Sequence, residues 1–291
     1  VKSAEDDSTR MFHDQMQSAV KILMNTFYGV FASAFYRFTH PDIGSAITAW
    51  ARSNIKKIIH ALEEEGHPVV YSDTDSVFVS APEEGNDALV SFGHELAARF
   101  TKEGAELEFE KGLSVFFSHG AKKRYVGRVV WPEEDLLIRG YEVRRTDSFD
   151  LLNRTMMGTF ERILDGDEEG AYKHVINLIR SVKAGEVEVV DLILSRSCKG
   201  KVLKDGTVDF SVYSNPDGLP YVQAARKRIA RGLPFTPGMK VSYIVTAAKD
   251  ENGRQAVEPW LVAETGDAPP IPDWSFYAER LARAMGRITE V

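Results

Sequence analysis

The chain has 291 residues, of which 43% are hydrophobic and 27% are charged, and its formal net charge is −7 at pH 7. The composition is ordinary for a globular protein, and the negative net charge argues against a generic polyanion binder. The single cysteine, Cys198, excludes a domain held together by disulfides, and no run approaches the ~18 apolar residues of a transmembrane helix. We therefore expect a cytoplasmic, nucleoid-associated protein with no membrane partner and, because the first residue is Val1 rather than Met, one piece of a longer protein.

Three amphipathic helices and a hairpin are predicted in the first part of the chain. The helices are expected over residues 11–28, 42–65 and 86–102, where apolar residues recur at spacings of three and four. Residues 69–79 are expected to form a β-hairpin, because Val, Tyr and Phe flank a polar Ser-Asp-Thr-Asp turn. Strands are then expected at 107–110, 113–117, 124–131 and 136–141. This order predicts an α+β fold, with an antiparallel sheet and helices on one face.

The pattern changes after residue 147, where we place a domain boundary. Residues 148–184 are predicted to be helical with a break at Asp165-Gly166-Asp167. A strand is expected at 241–247, and a proline-rich stretch leads into a last helix over about 274–288. The second half is therefore expected to be a mainly helical domain.

The predicted hairpin carries two carboxylates, Asp73 and Asp75, at its turn. Carboxylates two residues apart can lean to the same side, and such oxygen pairs bind hard divalent cations such as Mg²⁺. For these two residues alone, a polar hairpin tip in water is the simpler explanation. The neighbouring motifs decide between a metal site and a solvated hairpin tip.

Three short motifs follow one another along the chain. They are Lys21-Ile22-Leu23-Met24-Asn25-Thr26-Phe27-Tyr28-Gly29, Tyr71-Ser72-Asp73-Thr74-Asp75-Ser76 and Lys122-Lys123-Arg124-Tyr125. Together they resemble the C-terminal part of the family B DNA polymerases, whose second motif usually has Gly where this chain has Ser72. Two further stretches, 139–145 and 237–245, fit the same family. The resemblance covers essentially the whole chain.

The resemblance implies template-directed nucleotide addition by a two-metal phosphoryl transfer, with Mg²⁺ as the cofactor. It makes Asp75 the metal-bridging catalytic carboxylate and Asp73 its weaker neighbour. Lys21 would bind the triphosphate and protonate the leaving pyrophosphate, and Asn25 would assist from the same helix face. Tyr28 would lie beneath the nascent base pair. The alternative for this face is an ordinary solvated helix side, with Tyr28 as a packed aromatic at the helix end.

The resemblance also implies contacts with primer–template DNA. Lys123, Arg124 and Tyr125 would hold the primer strand near its 3′ end through phosphate contacts. Two basic segments without acidic residues, 196–204 and 226–240, would lie along the duplex backbone. The thumb cations assigned to this role are Lys199, Lys201, Arg226 and Arg228. Ordinary surface charge is the alternative for each of them.

The resemblance divides the chain into the end of the fingers (1–40), part of the palm (41–147) and the thumb (148–291). In this family a second metal-binding Asp lies upstream in an Asp-x-x-Ser-Leu-Tyr-Pro-Ser motif, and no run of this chain matches it. We therefore expect the C-terminal part, or the small subunit, of a longer polymerase that is inactive alone. Its expected partners are primer–template DNA, deoxynucleoside triphosphates and the N-terminal portion or large subunit, and a sliding clamp is an open candidate.

Two other functions stay open at this point. The chain could be a catalytically idle DNA-binding scaffold that keeps the motifs by descent. A different two-metal enzyme on a palm-like sheet, such as a nucleotide cyclase, is disfavoured by Lys122-Lys123-Arg124-Tyr125 and by the thumb-like region 230–245.

Overall fold

A computed structural model describes residues 7–33, 35–37, 39–81, 85–104, 106–141, 148–249 and 255–289. The chain divides into two compact units, Val1–Gly112 and Leu113–Val291. No helix in the described ranges is long and apolar enough to cross a membrane. The predicted fingers, palm and thumb boundaries stay predictions, and the one at residue 147 lies outside the described residues.

The described residues of the first unit form three helices and a two-stranded hairpin. These are α1 (Asp7–Ala32), α2 (Pro41–Glu64), β1 (Val69–Asp73), β2 (Ser76–Val79) and α3 (Asn86–Lys102). The three helices and the hairpin that the sequence predicts here are confirmed to within a few residues. Pro41 at the first position of α2 suits a helix start, since its fixed φ is already helical and its missing N–H would have no intrahelical partner.

A small core joins α2, the hairpin and α3. Ile58, Leu62 and Phe100 are buried there, and half-buried Val69 and Val77 of the hairpin pack against them. Helix α1 contributes little to this core. Its predicted apolar stripe is largely exposed, with exposed fractions between 49% and 67% for Val20, Leu23, Met24 and Phe27.

Among its described residues, the second unit has most of the strands, five helices and two short 3₁₀ turns. Its first part has β3 (Gly112–Phe117), β4 (Tyr125–Trp131), β5 (Asp135–Arg139), α4 (Asp150–Leu164) and α5 (Glu168–Ala184). The 3₁₀ turns span Val189–Leu192 and Pro216–Gly218. The remaining elements are β6 (Leu194–Ser197), β7 (Lys201–Val202), β8 (Val208–Asp209), α6 (Pro220–Ala230), β9 (Lys240–Lys249), β10 (Gln255–Pro259), α7 (Val262–Thr265) and α8 (Trp274–Thr289).

Two three-stranded sheets organise this unit, with strand orders β3-β4-β5 and β10-β9-β6. Helices α6 and α8 contact the second sheet, and α5 packs on both α4 and α8. The core includes Phe149 and Tyr277, both fully buried, with ring centroids 5.3 Å apart. The Tyr277 hydroxyl accepts a hydrogen bond from the Val245 amide at 2.9 Å, so the last helix is tied to β9.

The α+β class is confirmed, but two details of the prediction are wrong. The strands expected in one sheet lie in two among the described residues, β1-β2 and β3-β4-β5. Residues 107–110 form no strand. At Leu107 the backbone N–H and C=O bond to the Thr101 hydroxyl, at 3.0 and 3.1 Å, and not to a neighbouring strand.

Candidate functional site

The tip of the β1–β2 hairpin has an unusual backbone. Asp73 faces Ser76 in the antiparallel pairing, which leaves Thr74 and Asp75 to form the loop. The Asp75 amide donates a hydrogen bond to the Asp73 carbonyl at 2.8 Å, and Thr74 between them has a φ of 60°. This is a γ-turn of the strained, positive-φ kind, which costs a β-branched residue on the order of 1–2 kcal/mol.

Three side-chain hydroxyl groups form hydrogen bonds within the same turn. Ser72 Oγ donates to the Ser76 carbonyl and Ser76 Oγ to the Asp73 carbonyl, both at 3.0 Å. Thr74 Oγ1 donates to Asp73 Oδ1 at 3.1 Å. Asp73 is half-buried and Asp75 is exposed. The residue that departs from the family pattern, Ser72, therefore stabilises the hairpin through its hydroxyl.

The carboxylates of Asp73 and Asp75 fit a divalent metal as part of a ligand set. They are oxygen donors on one tight turn, which is the chemistry that Mg²⁺ prefers. Across the described ranges, no group of three or more His, Cys, Asp or Glu side chains is close enough to hold a metal ion. These two residues can therefore supply only some of the ligands of a complete site.

Helix α1 presents the predicted triphosphate-binding face. Lys21, Asn25 and Tyr28 follow one another at steps of four and three on this helix, and all three side chains are exposed. Helix α2 contacts both α1 and the hairpin, so it links the two predicted site elements of the first unit. The α1–α2 crossing is close, since a Cβ at Gly44 would lie 3.0 Å from Ala32 Cβ.

The Lys-Lys-Arg-Tyr motif forms a tight turn before β4. The Arg124 amide donates to the Ala121 carbonyl at 3.2 Å, and Lys123 has a φ of 62°. This matches a type II turn, whose third residue is usually Gly or Asn. Lys123 is exposed and Arg124 half-buried, whereas Tyr125 is 6% exposed and its ring centroid lies 5.7 Å from that of Phe116.

Among the described residues, Thr74 and Lys123 are the two non-glycine residues whose backbone has a positive φ. Backbone strain of this kind persists where surrounding contacts impose it, and it is concentrated at functional sites. Each residue lies inside one of the three sequence motifs, Thr74 in 71–76 and Lys123 in 122–125.

The predicted thumb cations fall into two groups, of which the first lies on α6. Arg226 forms an ion pair with Asp217. Arg228, whose side chain is 12% exposed, bonds to Glu264 and to the Pro234 carbonyl, each at 2.9 Å. Sequence reasoning missed these acidic partners, because they lie on other elements and no local spacing connects them to α6.

The second group lies on the segment between β6 and β7 and at the start of β7. Lys199 and Lys201 are exposed, and Lys201 lies opposite Asp209 in the pairing of β7 with β8. The backbone near them is anchored, since the Lys199 amide donates to the Tyr213 hydroxyl at 2.7 Å. Cys198 beside them is buried, which raises its thiol pKa to about 11, so it is protonated at neutral pH and is not a nucleophile.

The sequence of the entire chain matches one known protein family. The family model for DNA polymerase family B matches residues 1–291. The chain belongs to family B of the DNA polymerases. The resemblance seen in the sequence motifs is thereby confirmed, whereas the roles of individual residues stay predictions.

Relatives and a solved structure agree with the family membership. The chain is 31% identical over 234 residues to DNA polymerase 2 of Aeropyrum pernix, covering 80% of this chain and 27% of that protein. It is 29% identical over 265 residues to the DNA polymerase of Thermococcus gorgonarius, covering 88% and 32%. Its fold matches the family B DNA polymerase of Pyrobaculum calidifontis with a TM-score of 0.62 and 23% identity, over 99% of this chain and 35% of that one. This family B chain thus spans about a third of the length of these proteins.

Proposed function

We propose that this chain is the palm and thumb part of a DNA-directed DNA polymerase and supplies one half of a composite active site. The observation that carries the proposal is the strained turn at Thr74, which holds two carboxylates on one hairpin tip. That turn lies in a chain matched over its whole length by the family B model. Positive φ is common at hairpin tips, but it is usually taken by Gly, Asn or Asp, so a β-branched threonine there is unusual.

Asp75 and Asp73 would supply oxygen ligands for Mg²⁺. When bound, Mg²⁺ would polarise the phosphoryl oxygens and lower the pKa of the attacking hydroxyl. The backbone bond from Asp75 to Asp73 keeps the two residues on one tight turn, and the Thr74 hydroxyl holds the Asp73 carboxylate, so little backbone ordering would be needed on binding. Lys21 on α1 would neutralise charge on the triphosphate and donate a proton towards the leaving pyrophosphate, with Asn25 as a neutral hydrogen-bond partner.

DNA would be held by two surfaces of the second unit. The exposed Lys123 would contact primer phosphates, and Lys199 and Lys201 would contact the duplex backbone. Such contacts are independent of sequence and sensitive to salt, as a polymerase requires. Tyr125, buried against Phe116, would act by packing under the turn and not by direct stacking on DNA.

A second polypeptide segment would complete the site. In the proposed arrangement, the N-terminal portion or large subunit contributes the remaining metal-binding Asp, and this chain alone does not polymerise DNA. The exposed apolar stripe of α1 supports this arrangement, because contiguous exposed apolar surface is typical of an interface. The two-thirds of the relatives' length that this chain does not span is sufficient to supply such a partner.

The test is Mg²⁺-dependent incorporation of deoxynucleotides by this chain co-expressed with the N-terminal polymerase portion. Asp75→Asn should lower the rate by more than the roughly 10–100-fold that loss of an outer-shell metal partner costs. Asp205→Asn is the matched control, since Asp205 also lies in a β-hairpin loop, where it accepts a hydrogen bond from the Thr207 hydroxyl as Asp73 does from that of Thr74. An unchanged rate in Asp75→Asn would refute the proposed role. Salt-dependent duplex binding with no incorporation by the unchanged complex would favour the idle scaffold instead.

A further inference from the structure

Gly140 lies against the backbone of the Lys123 turn. It follows the last residue of β5, and the pairing of Tyr125 with Arg139 brings the end of β5 beside the start of β4. A Cβ at Gly140 would collide with the Lys123 carbonyl oxygen and would lie 2.9 Å from both the Lys123 carbonyl carbon and Arg124 Cγ. Gly140 also has a φ of 72°, so both its conformation and its surroundings require glycine.

Ser118 holds the same turn from another side. Its half-buried hydroxyl, just after β3, donates to the Arg124 carbonyl at 3.2 Å. The turn is thus fixed at its end by Ser118, flanked by Gly140 and closed by the bond from Arg124 to Ala121. Lys123, with a φ of 62°, has a backbone conformation that needs such support.

We propose that Gly140 and Ser118 are positioning residues for Lys123, which they hold at a fixed place on the DNA-binding surface. Gly140 acts by leaving room for the Lys123 carbonyl, and Ser118 by anchoring the Arg124 carbonyl. A side chain at position 140 would force the peptide after Lys123 to rotate and would move the lysine side chain away from its phosphate. This inference rests on the proposed DNA contact of Lys123.

The test compares two alanine substitutions at glycines in equivalent conformations. Gly120→Ala is the matched control for Gly140→Ala, because Gly120 has a φ of 71° and no atom within 4 Å of its added Cβ. The salt dependence of primer–template binding is measured for the full chain carrying each substitution, with its thermal midpoint recorded beside it. The salt slope is the slope of the logarithm of the binding constant against the logarithm of the salt concentration. Gly140→Ala should lower its magnitude by about 1, which corresponds to the loss of one phosphate contact, and Gly120→Ala should leave it unchanged.

A double-mutant cycle separates positioning from general destabilisation. In a Lys123→Ala background, Gly140→Ala and Ser118→Ala should each have no further effect on the slope, since the contact that they position is already gone. Ser118→Ala removes only a hydroxyl, so it remains a test if Gly140→Ala fails to fold. A lower salt slope in Ser118→Ala supports the positioning role, and an unchanged slope overturns it.

Two results would overturn the inference while the proposed function stands. One is equal binding by folded Gly140→Ala and Gly120→Ala proteins. The other is a slope reduction that persists in full in the Lys123→Ala background. If the unchanged chain shows no salt-dependent duplex binding, the proposed function fails and this inference fails with it.

Discussion

The amide of Asp75 donates to the carbonyl of Asp73 at 2.8 Å, and this bond places both carboxylates on one turn of the chain. The residue between them, Thr74, takes a positive φ to allow it. The side-chain bond from Thr74 to Asp73 and the two serine hydroxyl bonds reinforce the turn. The backbone positions of Asp73 and Asp75 are therefore set by hydrogen bonds within the turn itself.

The turn predicts the effect of two substitutions at Thr74. Thr74→Val keeps the β-branched shape and loses the hydroxyl, whereas Thr74→Gly removes the steric cost of the positive φ. Because the steric relief exceeds the extra chain entropy of glycine, Thr74→Gly should be more stable than Thr74→Val by about 0.5–1 kcal/mol. Urea unfolding followed by circular dichroism measures the difference. A less stable glycine variant would show that Thr74 is not strained.

Periodicity and turn chemistry predicted the local elements because their causes are local. Helix α3 lies at residues 86–102 as predicted, since its apolar residues recur at helical spacing and Gly85, with a φ of 104°, precedes it. The hairpin turn was predicted from residue type alone, but its strained geometry was not, because Thr seldom takes positive φ. Contacts between distant residues, such as Arg228 with Glu264, leave no periodic signal in a single sequence.

The two groups of thumb cations predict different phenotypes. Arg228→Gln should lower the free energy of unfolding by about 1–3 kcal/mol, because it leaves the Pro234 carbonyl and Glu264 without their partner. Lys201→Gln, at an exposed site, should change stability by less than about 0.5 kcal/mol but lower the salt slope of duplex binding by about 1. Denaturant titrations and binding measured over a salt series separate the two. A reduced slope without lost stability in Arg228→Gln would instead assign that residue to DNA binding.

His174 on α5 predicts a loss of stability in acid. Burial, and then the nearby Arg162 guanidinium, hold the pKa of His174 below its usual value, and a bond to the Thr155 backbone opposes them only in part. The buried His174 Nε2 has no hydrogen-bond partner among the described residues. Above the unfolded pKa of about 6.5, neither state is charged and the group contributes nothing. As pH falls below that value, the unfolded chain binds a proton that the folded chain does not, so stability falls until the folded pKa is reached.

Replacing His174 tests directly whether it makes the protein less stable as the pH falls. His174→Gln should lose less stability than the unchanged chain between about pH 7.5 and about pH 5, because no proton binds at position 174 in either state. Urea midpoints at the two pH values give the comparison. His94→Gln, at an exposed histidine of α3, serves as the control and should retain the acid sensitivity due to His174. Equal acid sensitivity in His174→Gln and the unchanged chain would rule out His174 as the source.

The exposed stripe of α1 predicts a contrast between two phenylalanines. Phe160 is fully buried in the core of the second unit, so Phe160→Ala should cost about 3–5 kcal/mol of stability. Phe27 is 57% exposed, so Phe27→Ala should change the stability of this chain by no more than about 0.5 kcal/mol. With the N-terminal polymerase portion present, Phe27→Ala should weaken association, because the stripe would then be buried at the interface. Calorimetric titration of the two polypeptides measures that affinity, and an unchanged affinity would show that the partner does not cover Phe27.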